Sequence, residues 1–153
     1  MHLQIDVDDP RRDDVRALLE THLTFAGSHS APEDVHALDV DGLSDPSVVF
    51  VSARHDGRLL GVGAVKVLEE GHGEIKSMHT LAEARTRGVG RALVDHLVEV
   101  ARARGLQRLS LETGSMDAFA AARSLYDRAG FEVCEPFGDY RPSRASVFMT
   151  RPV

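Results

Sequence analysis

The sequence predicts an α/β (α+β) domain, a mixed and mostly antiparallel sheet of six to seven strands with helices on both faces. Two patterns carry that expectation. Between residues 47 and 81, strand-like runs follow one another with only turn residues between them, as antiparallel neighbours do. Further on, two amphipathic helical stripes each lie between strand-like runs, as in strand–helix–strand crossovers. One domain over 1–153 is long enough to bury a core.

The elements follow in order. Leu3-Gln4-Ile5-Asp6-Val7 alternates apolar and polar residues like a half-buried strand. Asp9-Pro10 signals a turn into a helix. Val15, Leu18, Leu19, Leu23 and Ala26 recur at helical spacing, and Gly27 is expected to end that helix. A second short helix is expected over 32–38. Strands over 47–54 and 58–68 are joined by His55-Asp56-Gly57, which has hairpin-turn chemistry. A turn at 70–73 leads to a strand over 74–81, where Ile75 is flanked by polar residues. Val89, Leu93, Leu97 and Ala101, with Val94 and Val98 beside them, form a strong helical stripe closed by Gly105. A strand over 106–113 puts Leu109 and Leu111 on one face. Ala118, Ala122, Leu125, Tyr126 and Ala129 form the next stripe, and Gly130 stops it so that Phe131 can pack back on the last turn. Strands over 131–134 and 146–150 complete the chain.

Composition excludes several classes. The net charge is −6 and no Lys/Arg block occurs, which argues against nucleic acid as the partner. Cys134 is the only cysteine, so no internal disulfide forms and a reducing, cytoplasmic setting suits the chain. The start carries Gln4, Asp6, Asp8 and Asp9 with no apolar run, unlike a secretory signal. No run approaches ~18 apolar residues, so no membrane span is expected. No metal site is expected either: the eight histidines include no His-x-x-x-His beside a carboxylate, and there is no Cys pair. Gly-x-Ser-x-Gly and Gly-Lys-Ser/Thr are absent, which excludes the corresponding hydrolase and P-loop sites.

The informative stretch is 74–91. Arg85-Thr86-Arg87-Gly88-Val89-Gly90 opens a helix directly after a strand. Backbone N–H groups at a helix start lack internal partners, and the helix dipole places partial positive charge there. Glycines let such a turn close on a diphosphate, and Arg85, Arg87 and Arg91 add guanidinium reach. A Rossmann site would want a third glycine where Leu93 stands.

Taken together the motifs resemble the GNAT superfamily of acetyl-CoA-dependent N-acyltransferases. Its Arg/Gln-x-x-Gly-x-Gly/Ala signature is matched by Arg85, Gly88 and Gly90, and its Ala-x-x-Leu-Tyr-x-x-x-Gly-Phe pattern by Ala122, Leu125, Tyr126, Gly130 and Phe131. The run from His29 to Asp39 and the tail segments Glu135 to Tyr140 and Ser146 to Thr150 are similar to a bacterial subfamily of YsnE-type acetyltransferases. The resemblance covers essentially the whole chain. It implies the GNAT fold, with a V-shaped splay between the fourth and fifth strands, and acetyl-CoA as co-substrate. It also implies an amine acceptor and allows a homodimer; Glu33, Asp34, Asp39 and Glu112 could neutralise a cationic amine, and a small-molecule primary amine is the expected acceptor. One departure stands out: Phe119 occupies a position where relatives often carry an Asn that contacts the pantetheine arm, so Ser115 or Asp117 is the candidate replacement.

Roles follow from the resemblance. Cofactor contacts are expected from Met78, His79 and Thr80 through the backbone, and from Arg85, Thr86, Arg87, Gly88, Val89, Gly90, Arg91 and Ser115. Tyr126 is the expected general acid beside the sulfur, since a phenol titrating near ~10 is still protonated when a thiolate of pKa ~8.5 needs a proton. Glu74, with Glu112 as rival, is the expected general base, directly or through water; neighbouring strands could bring both carboxylates to one cleft. His79 is a lesser candidate base. His36, Glu112 and Tyr140 are expected at the acceptor, and Arg141 and Arg144 could hold an acceptor carboxylate if they face the cleft. The other reading is a non-catalytic acyl-CoA-binding or regulatory module on the same fold.

Overall fold

The computed structural model describes residues 2–30 and 37–153. Seven strands form one sheet in the order β1-β2-β3-β4-β5-β7-β6. They are β1 (Gln4–Val7), β2 (Val48–His55), β3 (Arg58–Glu69), β4 (His72–Thr80), β5 (Arg108–Gly114), β6 (Glu132–Cys134) and β7 (Ser146–Pro152). Every pairing is antiparallel except that of β4 with β5. The helices are α1 (Asp13–His29), α2 (Val40–Leu43), α3 (Val89–Ala103) and α4 (Ala120–Arg128).

Strand alternation sorts two cores. On one face Val49, Val51 and Ala53 of β2 pack with Leu93, Leu97 and Ala101 of α3, with Tyr126 of α4 and with Ala129 just after it. On the other, Phe50 of β2 and Val62 and Ala64 of β3 pack with Val15, Leu18 and Leu19 of α1 and Leu43 of α2. Helices thus cover both faces, because neither apolar face can be left to water. Each fully buried leucine, such as Leu93 or Leu97, contributes roughly 1.5–3 kcal/mol.

Local turn chemistry behaves as its residues dictate. Asp56 and Gly57 (φ 50° and 81°) make the left-handed hairpin turn between β2 and β3. At the end of α4, Phe131 N–H donates to the Tyr126 carbonyl at 3.0 Å and Gly130 N–H to that of Asp127 at 3.0 Å. That is a Schellman stop, and the Phe131 ring packs edge-on against Tyr126 at 5.9 Å.

Three expected boundaries are corrected. Helix α1 does not end at Gly27 but continues to His29. A mid-helix glycine costs only about 1 kcal/mol, and the Phe25–His29 ring contact at 4.6 Å carries the last turn across it. The turn expected at 70–73 is the shorter Glu70-Gly71, closed by the Glu69–His72 pair, so β4 starts at His72. Gly73 lies within the strand because Leu106 leaves no room: a Cβ there would sit 2.7 Å from Leu106 Cδ1. The helix expected over 32–38 lies mostly outside the described residues. Ala37 and Leu38 are not helical, and α2 begins at Val40, where the Asp39 carboxylate caps Gly42 N–H at 2.8 Å.

The feature that positions the site is the break between β4 and β5. They pair at His72–Arg108, Gly73–Leu109 and Glu74–Ser110 and no further, so the strands part beyond Glu74. Near the far end β4 carries a bulge. Val62 pairs His79 and Ala64 pairs Lys76, which leaves Ser77 (φ 56°) and Met78 opposite the single residue Gly63.

Candidate active site

On the α3 side of the parted strands lies the glycine turn. Thr86 (φ 66°) and Gly88 (φ 83°) are both left-handed, and Gly88 caps the start of α3. No side chain caps that end and its first turn carries no acidic residue. A Cβ on Gly88 would meet nothing within 4 Å, so the helix mouth is open. Gly90 is packed close: a Cβ there would lie 3.0 Å from Leu125 and 3.7 Å from Thr80 Oγ1. Arg85, Thr86 and Arg87 are exposed around the mouth. Arg91 is turned aside, its guanidinium bonded to Asp95 at 3.0 Å and to the Arg128 carbonyl at 3.2 Å. The arrangement suits a diphosphate: backbone donors, a helix dipole and cationic side chains around open space.

Other members of the expected cofactor set are placed differently. Met78 packs on the α3-side core, its sulfur 2.6 Å from where a Gly63 Cβ would be. At the bulge itself, Ser77 Oγ is buried without a hydrogen-bond partner among the described residues. Ser115 Oγ donates to the Arg144 carbonyl at 2.5 Å, so its proton is committed to the segment before β7. Phe119 lies over the end of β5, where a Gly114 Cβ would fall 2.2 Å from its ring, and its edge meets Phe25 of α1 at 5.3 Å. Tyr126 is buried. Burial pushes its pKa up, so it stays protonated, as a donor must, but gives up its proton less readily than a free phenol.

The opposite face of the sheet carries a polar cluster. Tyr140 Oη donates to Glu74 Oε2 at 2.5 Å, and Lys76 Nζ donates to the same oxygen at 3.3 Å and to Tyr140 Oη at 3.0 Å. Glu74 is only 4% exposed, so its charge needs these partners. Burial first, then the Glu74 and Glu112 carboxylates, push the Tyr140 phenol well above its usual range. Both carboxylates therefore lie within electrostatic reach of one phenol. Phe137 and Phe148 hold the Tyr140 ring at 5.2 and 5.4 Å. Lys76 was invisible as a site residue in the sequence; a lysine two residues after a strand glutamate reads as solvated surface. Beside the cluster lies a cavity of about 560 Å³, floored by β3 and β4 and walled by residues 138–143.

Further along β4, His79 Nδ1 meets His22 Nδ1 of α1 at 3.1 Å. Burial pushes both imidazoles down to about 4, aided at His22 by His79 and Lys76 and at His79 by Arg85. Both are neutral at pH 7, one donating and one accepting. The unfolded histidines titrate near 6.5, so between pH 6.5 and 4 the unfolded chain binds protons that the folded chain does not. Stability should therefore fall as pH drops through that window, by at most about 1.4 kcal/mol per pH unit for each imidazole. Urea unfolding at pH 7 and pH 5 measures this, and His22→Gln should flatten the difference. Equal pH dependence in wild type and variant would show that the pair is not buried as described. Glu33, Asp34 and His36 lie outside the described residues. Among the described residues no cluster of three or more His, Cys, Asp or Glu could hold a metal ion. No helix among them is long and apolar enough to cross a membrane.

Comparison with known proteins places this geometry. The Acetyltransferase (GNAT) family matches residues 12–131. The chain is 46% identical to a Bacillus subtilis (strain 168) protein named "Uncharacterized N-acetyltransferase YsnE", covering 99% of each. It is 43% identical to one of Escherichia coli (strain K12) named "Uncharacterized N-acetyltransferase YedL", covering 95% of this chain and 92% of that one. Over 95% of both chains it is 37% identical to the IAA acetyltransferase of Azospirillum brasilense. Among solved structures, a Klebsiella pneumoniae protein proposed to be an acyl-CoA N-acyltransferase superposes with a TM-score of 0.81 at 29% identity, over 98% and 97% of the two chains. A Bacillus subtilis acetyltransferase solved with CoA shares the fold at a TM-score of 0.75 and 19% identity, over 99% of each chain.

Proposed function

The chain belongs to the GNAT acetyltransferase family and is an acetyl-CoA-dependent acyltransferase. From that premise we propose that it acetylates the primary amine of a small molecule, with Glu74 or Glu112 as general base and Tyr126 as general acid. The observation that carries the reading is the parting of β4 from β5 at Glu74, with an open helix mouth at Gly88 on one face and a buried Glu74–Lys76–Tyr140 cluster on the other. A co-substrate entering by one face can there meet an acceptor held on the other.

When bound, acetyl-CoA supplies an acyl thioester activated for attack. The residues divide the remaining work. The N–H groups at the start of α3, with Arg85 and Arg87, bind the diphosphate. Backbone along 78–80 has no β5 partner and is free to align the pantetheine arm. A carboxylate takes the proton from the acceptor's ammonium. Glu74 lies four residues before Met78 on the far side of the β4 bulge, so as base it reaches the amine either directly or through ordered water. Tyr126 holds the proton that the departing thiolate needs. The cavity of about 560 Å³ supports a small acceptor over a protein tail, and the name of the Azospirillum brasilense relative points the same way.

Thiol release from acetyl-CoA across a panel of primary amines tests the reading. Turnover with at least one small amine is expected. CoA binding without thiol release across the panel would favour a non-catalytic module. In the active enzyme Tyr126→Phe should lower kcat by roughly 10²-fold, leaving acetyl-CoA affinity unchanged. An unchanged kcat would remove Tyr126 as the acid.

A further inference from the structure

Resting on the reading above, we infer that the acceptor is an amino acid, a primary amine that also carries a carboxylate, and that Lys66 and Arg141 hold the carboxylate. The observation is the charge of the cavity beside Glu74. The protein as a whole is acidic, at −6, yet Lys66, Lys76 and Arg141 line this hollow against only Glu74 and Asp139. Lys76 is already matched, its ammonium 3.3 Å from Glu74 Oε2. Asp139 is exposed. The cationic character that remains comes from Lys66, which pairs with Glu74 across the β3–β4 ladder, and from Arg141 on the facing turn.

The two ends of the hollow therefore ask for opposite charges. At the splay, Glu74 already holds one ammonium, that of Lys76 at 3.3 Å, and Glu112 reaches the same Tyr140 phenol, so the two carboxylates favour positive charge there. One strand further from the splay, a lysine on the floor and an arginine on the wall favour an anion, and the guanidinium fork matches the two oxygens of a carboxylate. A simple alkylamine would leave that wall unanswered. A long basic peptide would be repelled by it. At about 560 Å³ the cavity takes a free amino acid with room for its side chain.

The test compares three acceptors on the intact enzyme: an amino acid, its carboxamide and the amine lacking the carboxylate, with α-, γ- and ε-amino acids setting the span. The amino acid should exceed its amide in kcat/KM by at least about 10-fold at one of these spans. In the double variant Lys66→Met/Arg141→Met that ratio should fall to about 1 through a rise in KM for the amino acid, with the melting temperature confirming the fold. If amines are acetylated but the carboxylate earns no preference, or the preference survives the double variant, the inference is overturned while the transferase reading stands. If no amine is acetylated, both fall.

Discussion

Gly88→Val should weaken acetyl-CoA binding at least 100-fold while leaving the protein folded. Gly88 has φ 83° and caps α3, and nothing lies within 4 Å of where its Cβ would be. The damage is therefore conformational and functional, with no steric clash in the core. A β-branched residue in the left-handed region costs about 1–2 kcal/mol. The loop relieves this by rotating, which turns the first N–H groups of α3 away from the diphosphate, and the isopropyl group stands in the mouth those groups surround. Gly105 supplies the control. It closes the other end of the same helix with φ 75° and equally open space. Gly105→Val should lose similar stability, a few degrees in Tm, with unchanged affinity by calorimetry. Were the two variants to bind acetyl-CoA alike, the helix mouth would not be the diphosphate site.

Glu74→Gln should lower kcat/KM by roughly 10²- to 10⁴-fold, the span general bases ordinarily contribute. Glutamine keeps an oxygen for the Tyr140 hydroxyl but gives no charge to Lys76, whose side chain is 9% exposed. Breaking a buried pair in this way costs about 3–5 kcal/mol, so melting must be followed alongside rate. The readout that separates catalysis from structure is the acidic limb of the pH–rate profile. The rate needs the base ionised, so it rises with pH through that limb. Removing the base abolishes or moves the limb, whereas destabilisation alone does not. Glu112→Gln, measured in parallel, decides between the carboxylates. If both variants keep the wild-type limb, neither is the base, and the neutral His22–His79 pair becomes the group to test.

Much of the α3 side of the sheet was legible in the chain because its determinants are local. The sign of φ at Gly88, Gly105 and Gly130 follows from residue type within a few positions. The α3 stripe of Val89, Leu93, Val94, Leu97, Val98 and Ala101 is buried as its spacing requires. On the opposite face the grouping of Glu74, Tyr140 and Arg141 was legible, but which other side chains of β4 join them was not. Simple alternation along β4 would put Glu74, Lys76, Met78 and Thr80 on one face. The bulge at Ser77 shifts the pleat by one residue, so His79 joins the side of Glu74 and Lys76, while Met78 and Thr80 turn toward α3.

The sequence by itself determined the element order, the left-handed stops, the glycine turn that opens α3 and the pattern of the core. These depend on φ preferences and on side-chain periods that act over a handful of residues. Only the tertiary structure decided that Glu74 is clamped by Tyr140, 66 residues away, and that His22 and His79 meet across 57. It also decided that Lys66 and Arg141 share one cavity. Buried charges take whichever partner the packed sheet brings within reach, and one extra residue in a strand changes which side chains those are.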